Sequence, residues 1–312
     1  MKNKIQNILP SDVLSFEAEE LQRDHRSHNT SDAYRGYRER FVLFCESKGL
    51  EFNSVALIEF LTSLYHQGYA QNTITGYHAG VVDFLPELRG VDEISKTLAA
   101  IRHRMVNRPP KQTRALTLEQ AENALACLSD SIRDHRDRAL LSVAWSTASR
   151  ASELLSLTVD KIVRETGGYV IFVKLKGADR QSEKWIPGAV GDLSVPLTPS
   201  THLARWLEIS GITEGPIWRK VNKSGRIEDK ALSASGYTKI FKRIVRNSGL
   251  DERLFSPHST RTGFVTYGAK NGHGIAEVMA VTGHKSIQSV KSYWDSQQMR
   301  KMHPLTGEKS SK

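Results

Sequence analysis

Near its C-terminus the chain reads TGHKSIQSVKSYWD (282–295), in which His284 is followed nine residues later by Tyr293. Upstream, SPHSTRTG (256–263) sets His258 and Arg261 three apart. With Ser256 as cap and Pro257 as first helical residue, both lie on one helix face near its positive end. Backbone N–H groups, an imidazole and a guanidinium then converge on a seat for phosphate. Arg150, in STASRASELLSL, stands between two apolar stretches, where an arginine must cap, pair or point into a cleft, and Glu153 is placed to hold it. Lys176 closes GYVIFVKLK before a glycine turn, with Lys174 and Lys184 as rivals for the same place. Singly, each residue has an ordinary reading as a solvated pair, a structural ion pair, a capping histidine or a packed ring. Together they can do metal-free covalent chemistry at a phosphodiester. A tyrosine hydroxyl can attack phosphorus and form a phosphotyrosine. Its free pKa of about 10 means that it needs help to lose the proton. Two guanidiniums can hold the nonbridging oxygens in place of Mg²⁺, and a lysine can protonate a 5′-hydroxyl leaving group.

The elements that must position these groups are mainly helical. From Ser31, Tyr34, Tyr37, Phe41, Phe44 and Cys45 recur at helical spacing and make one apolar face. SVALIEFLTSLYHQG reads as a second helix, with Ser54 as cap and Gly68 as stop. QNTITGYHAGVVDFLPELRG is a third, ending near Pro86, and DEISKTLAAIRHRMVNR a fourth with a basic end. These make an N-terminal helical domain over 25–107, after a loose arm over 1–24. RPPKQTRAL, with two prolines and few apolar residues, sets an interdomain linker over 108–116. A C-terminal domain over 117–312 opens on Thr117, whose capping box Gln120 completes. IRDHRDRALLSVAWSTAS is apolar in its second half and reads as buried. Residues 168–176 and the segment WIPGAVGDLSVPL have strand character and predict a small antiparallel sheet. HLARWLEIS and ASGYTKIFKRIVRNSG follow as helices, then three short ones between Ser256 and Trp294.

The chain has 312 residues, with 44 Lys plus Arg against 34 Asp plus Glu, a net charge of +10. This excess favours a polyanionic partner. Mean hydropathy is −0.42, and no apolar run is long enough to span a bilayer, so a membrane partner is not expected. The N-terminus carries no signal-like apolar stretch. Cys45 and Cys127 sit in apolar helical stretches and read as buried free thiols in a reducing cytoplasm. Neither a metal cluster nor a nucleotide loop stands out, and no cofactor is expected.

These residues resemble the tyrosine recombinases and integrases. The family pattern is an arginine before S/A-E-L, a hairpin lysine, H-x-x-R, G-H or G-W, and then the tyrosine. The chain offers Arg150 in SRASELLSL, Lys176 in VKLKG, His258 and Arg261 in PHSTRTG, His284 in TGHKSI and Tyr293 in VKSYW, in that order. The gaps of 23 residues from Arg261 to His284 and nine from His284 to Tyr293 are usual for the family. WLEISGI and LSASGYTKIFKRI look like the branch of the phage recombinase Cre. The resemblance implies a mainly α, two-domain DNA clamp: a helical bundle plus a mostly helical catalytic domain with a small antiparallel sheet. It implies Tyr293 as nucleophile, Arg150 and Arg261 as phosphate clamp, His258 in proton transfer, His284 on the phosphate and Lys176 as general acid. Glu153 would orient Arg150 or His258. The long segment QSEKWIPGAVGDLSVPL departs from the usual hairpin region and puts the choice of lysine in doubt.

The implied activity is site-specific cutting and rejoining of DNA through a 3′-phosphotyrosine and a Holliday junction, without metal. The implied partners are double-stranded DNA sites with inverted half-sites and a homotetramer joining two of them, with the chain on the DNA of a prokaryotic or phage-infected cytoplasm. The family packs its C-terminal segment into a neighbouring protomer, and Trp294, Met299 and Met302 give that segment here a weak apolar set. Candidate DNA contacts are Arg102, Arg104, Lys111, Lys239, Lys242 and Arg243. A type IB topoisomerase, a catalytically silent DNA-binding protein on the same fold and a metal-dependent nuclease are the rival readings.

Overall fold

The computed structural model describes residues 28–106, 113–175, 181–188 and 197–302, with side chains described from Thr30 to Ser296. The arm over 1–24, Lys111, Lys176, residues 189–196 and the side chains of Met299 and Met302 lie outside the described residues. The chain divides into two compact units, Met1–Lys111 and Gln112–Lys312.

The first unit holds α1 (His28–Lys48), α2 (Ser54–His66), α3 (Gln71–Phe84), a 3₁₀ turn at Pro86–Leu88, and α4 (Asp92–Met105). The helical stripe of α1 buries Phe41 and Cys45 against Leu57, Phe60 and Leu61 of α2 and Tyr77 and Val81 of α3. Helices α1 and α3 meet closely at Gly80, where a Cβ would stand 3.0 Å from Tyr37. The cap of α2 is Asn53, not Ser54; its side chain accepts the Ala56 N–H. It satisfies one of the N–H groups that a helix start leaves free.

The second unit is built round α6 (Ile132–Thr147), which is buried along nearly its whole length. It runs α5 (Leu118–Ala126), α6, α7 (Ala151–Leu155), β1 (Ile162–Glu165), β2 (Gly168–Lys174), β3 (Gln181–Pro187), α8 (Pro199–Ser210), β4 (Arg219–Val221), β5 (Ile227–Ala231), α9 (Ala234–Asn247), α10 (His258–Lys270), α11 (Ile275–Thr282) and α12 (Gln288–Met302). The Thr117–Gln120 capping box opens α5 as its sequence predicts. Residues 114–116, expected in the linker, belong to this unit. Leu116 is fully buried, and its N–H donates to Ser259 O while its carbonyl accepts from Trp145 Nε1. Helix α10 lies so close to this segment that a Cβ at Gly263 would stand 1.9 Å from Leu116 O.

The main sheet has the order β1-β2-β3, antiparallel throughout, and β4-β5 form a separate ribbon. Tyr169, Ile171 and Val173 of β2 face the core. Antiparallel register sets Ile171 opposite Lys184, and Tyr169 opposite Ile186. Side chains alternate faces, so β3 turns Lys184 and Ile186 inward and Trp185 outward. Trp185 is 42% exposed and Lys184 only 6%. Among the described residues no helix is long and apolar enough to cross a membrane.

Candidate active site

The site begins where α6 ends. Ala148 has φ 47°, the one left-handed non-glycine among the described residues, and it turns the chain from α6 toward α7. Such a conformation costs an alanine about 1–2 kcal/mol, so its surroundings must hold it. Thr147 Oγ1 donates to Val143 O and lies 2.8 Å from Ser149 Oγ. The Ala148 carbonyl accepts from Arg261 Nη1 at 2.8 Å, and the Thr147 carbonyl from Lys184 Nζ at 3.0 Å. Two cations thus hold carbonyls at the negative end of α6.

Arg150 caps α7. The Glu153 carboxylate accepts its backbone N–H at 3.0 Å and its Nη1 at 2.6 Å. Glu153 is 2% exposed and lies 3.5 Å from Lys184 Nζ. Burial opposes its charge, but the two Arg150 hydrogen bonds and the Lys184 charge outweigh it and hold the carboxyl below its usual range. Glu153 therefore holds Arg150 through two hydrogen bonds.

Arg261 projects from the first turn of α10 and is 1% exposed. Nη1 is spent on Ala148 O, while Nε and Nη2 are buried without a hydrogen-bond partner among the described residues. Burial, then repulsion from Arg150, brings its pKa down to about 10, so it stays charged at neutral pH. A buried guanidinium with two free donor edges is a fork suited to phosphate oxygens.

The histidines share this field. Burial, Arg261 and Arg150 push His258 below its usual value. The same three, with His258 and Lys184 adding to them, bring His284 to about 4. His284 follows Gly283, whose φ of 68° ends α11 and whose Cα side packs on Leu175, the residue before Lys176. Thr282 Oγ1 gives its proton to Val278 O at 2.8 Å, so it accepts from His284 Nδ1 at 2.7 Å. In the neutral ring this leaves the lone pair on Nε2.

Tyr293 lies on α12, half-buried, with its ring against Val265, Val278 and Val290. Its hydroxyl has no hydrogen-bond partner among the described residues. Ser286 Oγ accepts the Gln288 N–H at the start of α12, and Trp294 Nε1 donates to His273 O, which pins the helix to the α10–α11 turn.

Several expectations need correction. Ser256 does not cap α10 with its side chain; Pro257 stands at the cap, and the Ser259 hydroxyl accepts the Ser256 N–H instead. Cys127 is exposed, because α5 has ended there, whereas Cys45 is buried. Lys242 donates to Glu252 O, and Arg243 is paired with Asp134 and Asp137. Both cations have partners inside the unit, while Lys239, Arg102 and Arg104 are exposed. Lys174 ends β2 exposed. Sequence reasoning ranked Lys184 only as a rival to Lys176 and missed its burial beside Glu153. The signal was the inward phase of β2, carried across the sheet.

A mainly helical unit that gathers two arginines, two histidines and a carboxylate beside a helix bearing a tyrosine has the composition of a tyrosine recombinase catalytic domain. The phage integrase family model matches residues 114–300, and the chain belongs to that family. An integrase/recombinase xerD homolog of Selenomonas ruminantium is 30% identical over 164 residues, 51% of this chain and 46% of the relative, so that match spans about half of each. The recombinase cre of Escherichia phage P1 is 25% identical over 258 residues, 75% of this chain and 74% of the relative. Among solved structures, the Tn1549 transposon integrase in complex with circular intermediate DNA superposes with a TM-score of 0.62 at 19% identity, covering 93% of this chain and 97% of that one. This agrees with the fold.

Proposed function

We propose that the protein is a site-specific DNA recombinase that cuts and rejoins strands through a 3′-phosphotyrosine. The observation that carries this is the Arg150–Glu153–Arg261 cluster, with the buried Nε and Nη2 of Arg261, which have no hydrogen-bond partner among the described residues, at its centre. Arg261 and Arg150 would bind the nonbridging oxygens of the scissile phosphate, and His284 would join them on the third side. An anion there would raise the pKa of both histidines, and His284 would then take up a proton on Nε2 and donate it to a phosphate oxygen. The Tyr293 hydroxyl would attack phosphorus, losing its proton with help from His258. The new Tyr293 Oη–P bond would form as the P–O5′ bond breaks, and Lys176 would give its proton to the departing O5′. The phosphotyrosine keeps the bond energy, so a second 5′-hydroxyl can reverse the step on a new partner.

A homotetramer on two inverted-repeat sites would exchange strands in two such rounds through a Holliday junction, with the first unit and the exposed Arg102, Arg104 and Lys239 contributing to DNA binding. Supercoiled plasmids carrying paired candidate sites, incubated in EDTA, test the reading. Site-dependent exchange supports it. Relaxation regardless of sequence would favour a type IB topoisomerase, and dependence on divalent metal a nuclease.

A further inference from the structure

Outside the roles above, the buried cation Lys184 has no assignment. Lys184 sits in a row of the sheet with Ile162 and Ile171, where an apolar side chain would be expected. Its side chain is 3% exposed, and the nearby cations Arg261 and Arg150 make its charge more costly still. Burial pulls the ammonium down to about 8 against the opposing pull of Glu153, so it is mostly charged at pH 7. A buried lysine kept against that cost should be held for something other than filling space.

Its partners show what it can do. Nζ donates to Thr147 O at 3.0 Å and pairs with Glu153 Oε2 at 3.5 Å. The same carboxylate holds Arg150 through two hydrogen bonds, and the adjacent Ala148 carbonyl holds Arg261. Lys184 thus ties β3 to the corner between α6 and α7 from which both arginines take their aim. A methionine there could fill the row, but it would leave Glu153 with one cation and Thr147 O without its donor.

We propose that Lys184 is a positioning residue for strand cleavage: by clamping the Glu153 carboxylate and the α6 C-terminal carbonyl it fixes Arg150 against the scissile phosphate, and it is not the group that protonates O5′. This rests on the recombinase reading and deepens it.

The test measures single-turnover cleavage of a nicked suicide duplex and, separately, its binding affinity, for wild type, Lys184→Met, Lys184→Arg, Glu153→Gln and the Lys184→Met/Glu153→Gln pair. A second duplex carries sulfur in place of the 5′-bridging oxygen, so that its thiolate leaves without a proton. Lys184→Met should cleave about 10- to 100-fold more slowly at unchanged affinity, because a small misplacement of a clamping group costs rate rather than binding. Lys184→Arg should recover part of the loss. The double variant should be little slower than the slower single one, as coupled residues require. The defect of Lys184→Met should persist on the sulfur duplex. Full rescue there would make Lys184 the proton donor and overturn the proposal, as would cleavage by Lys184→Met at the wild-type rate. Lys184→Gln, whose amide can still donate to Thr147 O, takes the place of methionine if that variant does not fold. Wild type inert on both duplexes would instead sink the recombinase reading on which the proposal stands.

Discussion

Replacing Arg261 with methionine should make the free protein more stable while removing its chemistry. The guanidinium is 1% exposed, and two of its three nitrogens have no hydrogen-bond partner among the described residues. Burial brings its pKa well below the usual arginine value, to about 10, which corresponds to about 3 kcal/mol of penalty on the charged form. Methionine is close in volume and carries no charge. It forfeits the charge-assisted bond to Ala148 O, worth about 2 kcal/mol. The balance favours the variant by roughly 1 kcal/mol, a rise in melting temperature of about 2–4 °C for a unit of this size. Cleavage should fall by at least about 100-fold, the usual cost of losing one donor to a developing oxyanion. Calorimetry of both proteins, with and without a DNA duplex, reads the first effect, and single-turnover cleavage reads the second. DNA should stabilise wild type more than the variant. A variant that melts several degrees lower would refute the reasoning, since it would mean that Arg261 is already satisfied in the free protein.

Other expectations follow from the same geometry. Glu153→Gln strands two cations, one of them fully buried, and should cost about 3 kcal/mol, read as a lowered denaturation midpoint. Gly263→Ala drives a methyl into the Leu116 carbonyl, and chemical denaturation should show a loss of about 3 kcal/mol or more; a neutral result would contradict the close packing of α10. His284, at about 4, is depressed below the unfolded value of about 6.5, so the unfolded chain binds more protons between those values. Its share of stability is therefore complete above pH about 6.5 and is lost as pH falls through about 4. His284→Asn should flatten the pH dependence of unfolding in that window, and an unchanged slope would contradict the shift.

Much of the site was legible because its residues are marked by spacing along single helices. Thr117 and Gln120, Arg150 and Glu153, and His258 and Arg261 are each three residues apart, close enough for local rules to apply. What escaped depends on tertiary contacts. IVRE, RKV and IEDKA are short, polar strands whose pairing, not their composition, makes them strands. Lys184 reads as one more hairpin lysine until the register with β2 turns it inward and its neighbour Trp185 outward. Arg243 reads as a basic face until Asp134 and Asp137, over a hundred positions away in sequence, meet it. A cap moves just as easily: Asn53 and Ser54 are both good caps, and only the backbone of α2 selects between them.

Covalent trapping tests the central claim most directly. Protein in EDTA, given a pool of nicked suicide duplexes from its native DNA neighbourhood, should yield an SDS-stable adduct, which protease digestion and mass spectrometry would place on Tyr293. Tyr293→Phe keeps the ring that packs on Val265, Val278 and Val290 and should bind the same DNA without forming the adduct. Specific binding with no adduct, or an adduct that survives Tyr293→Phe, would contradict the account.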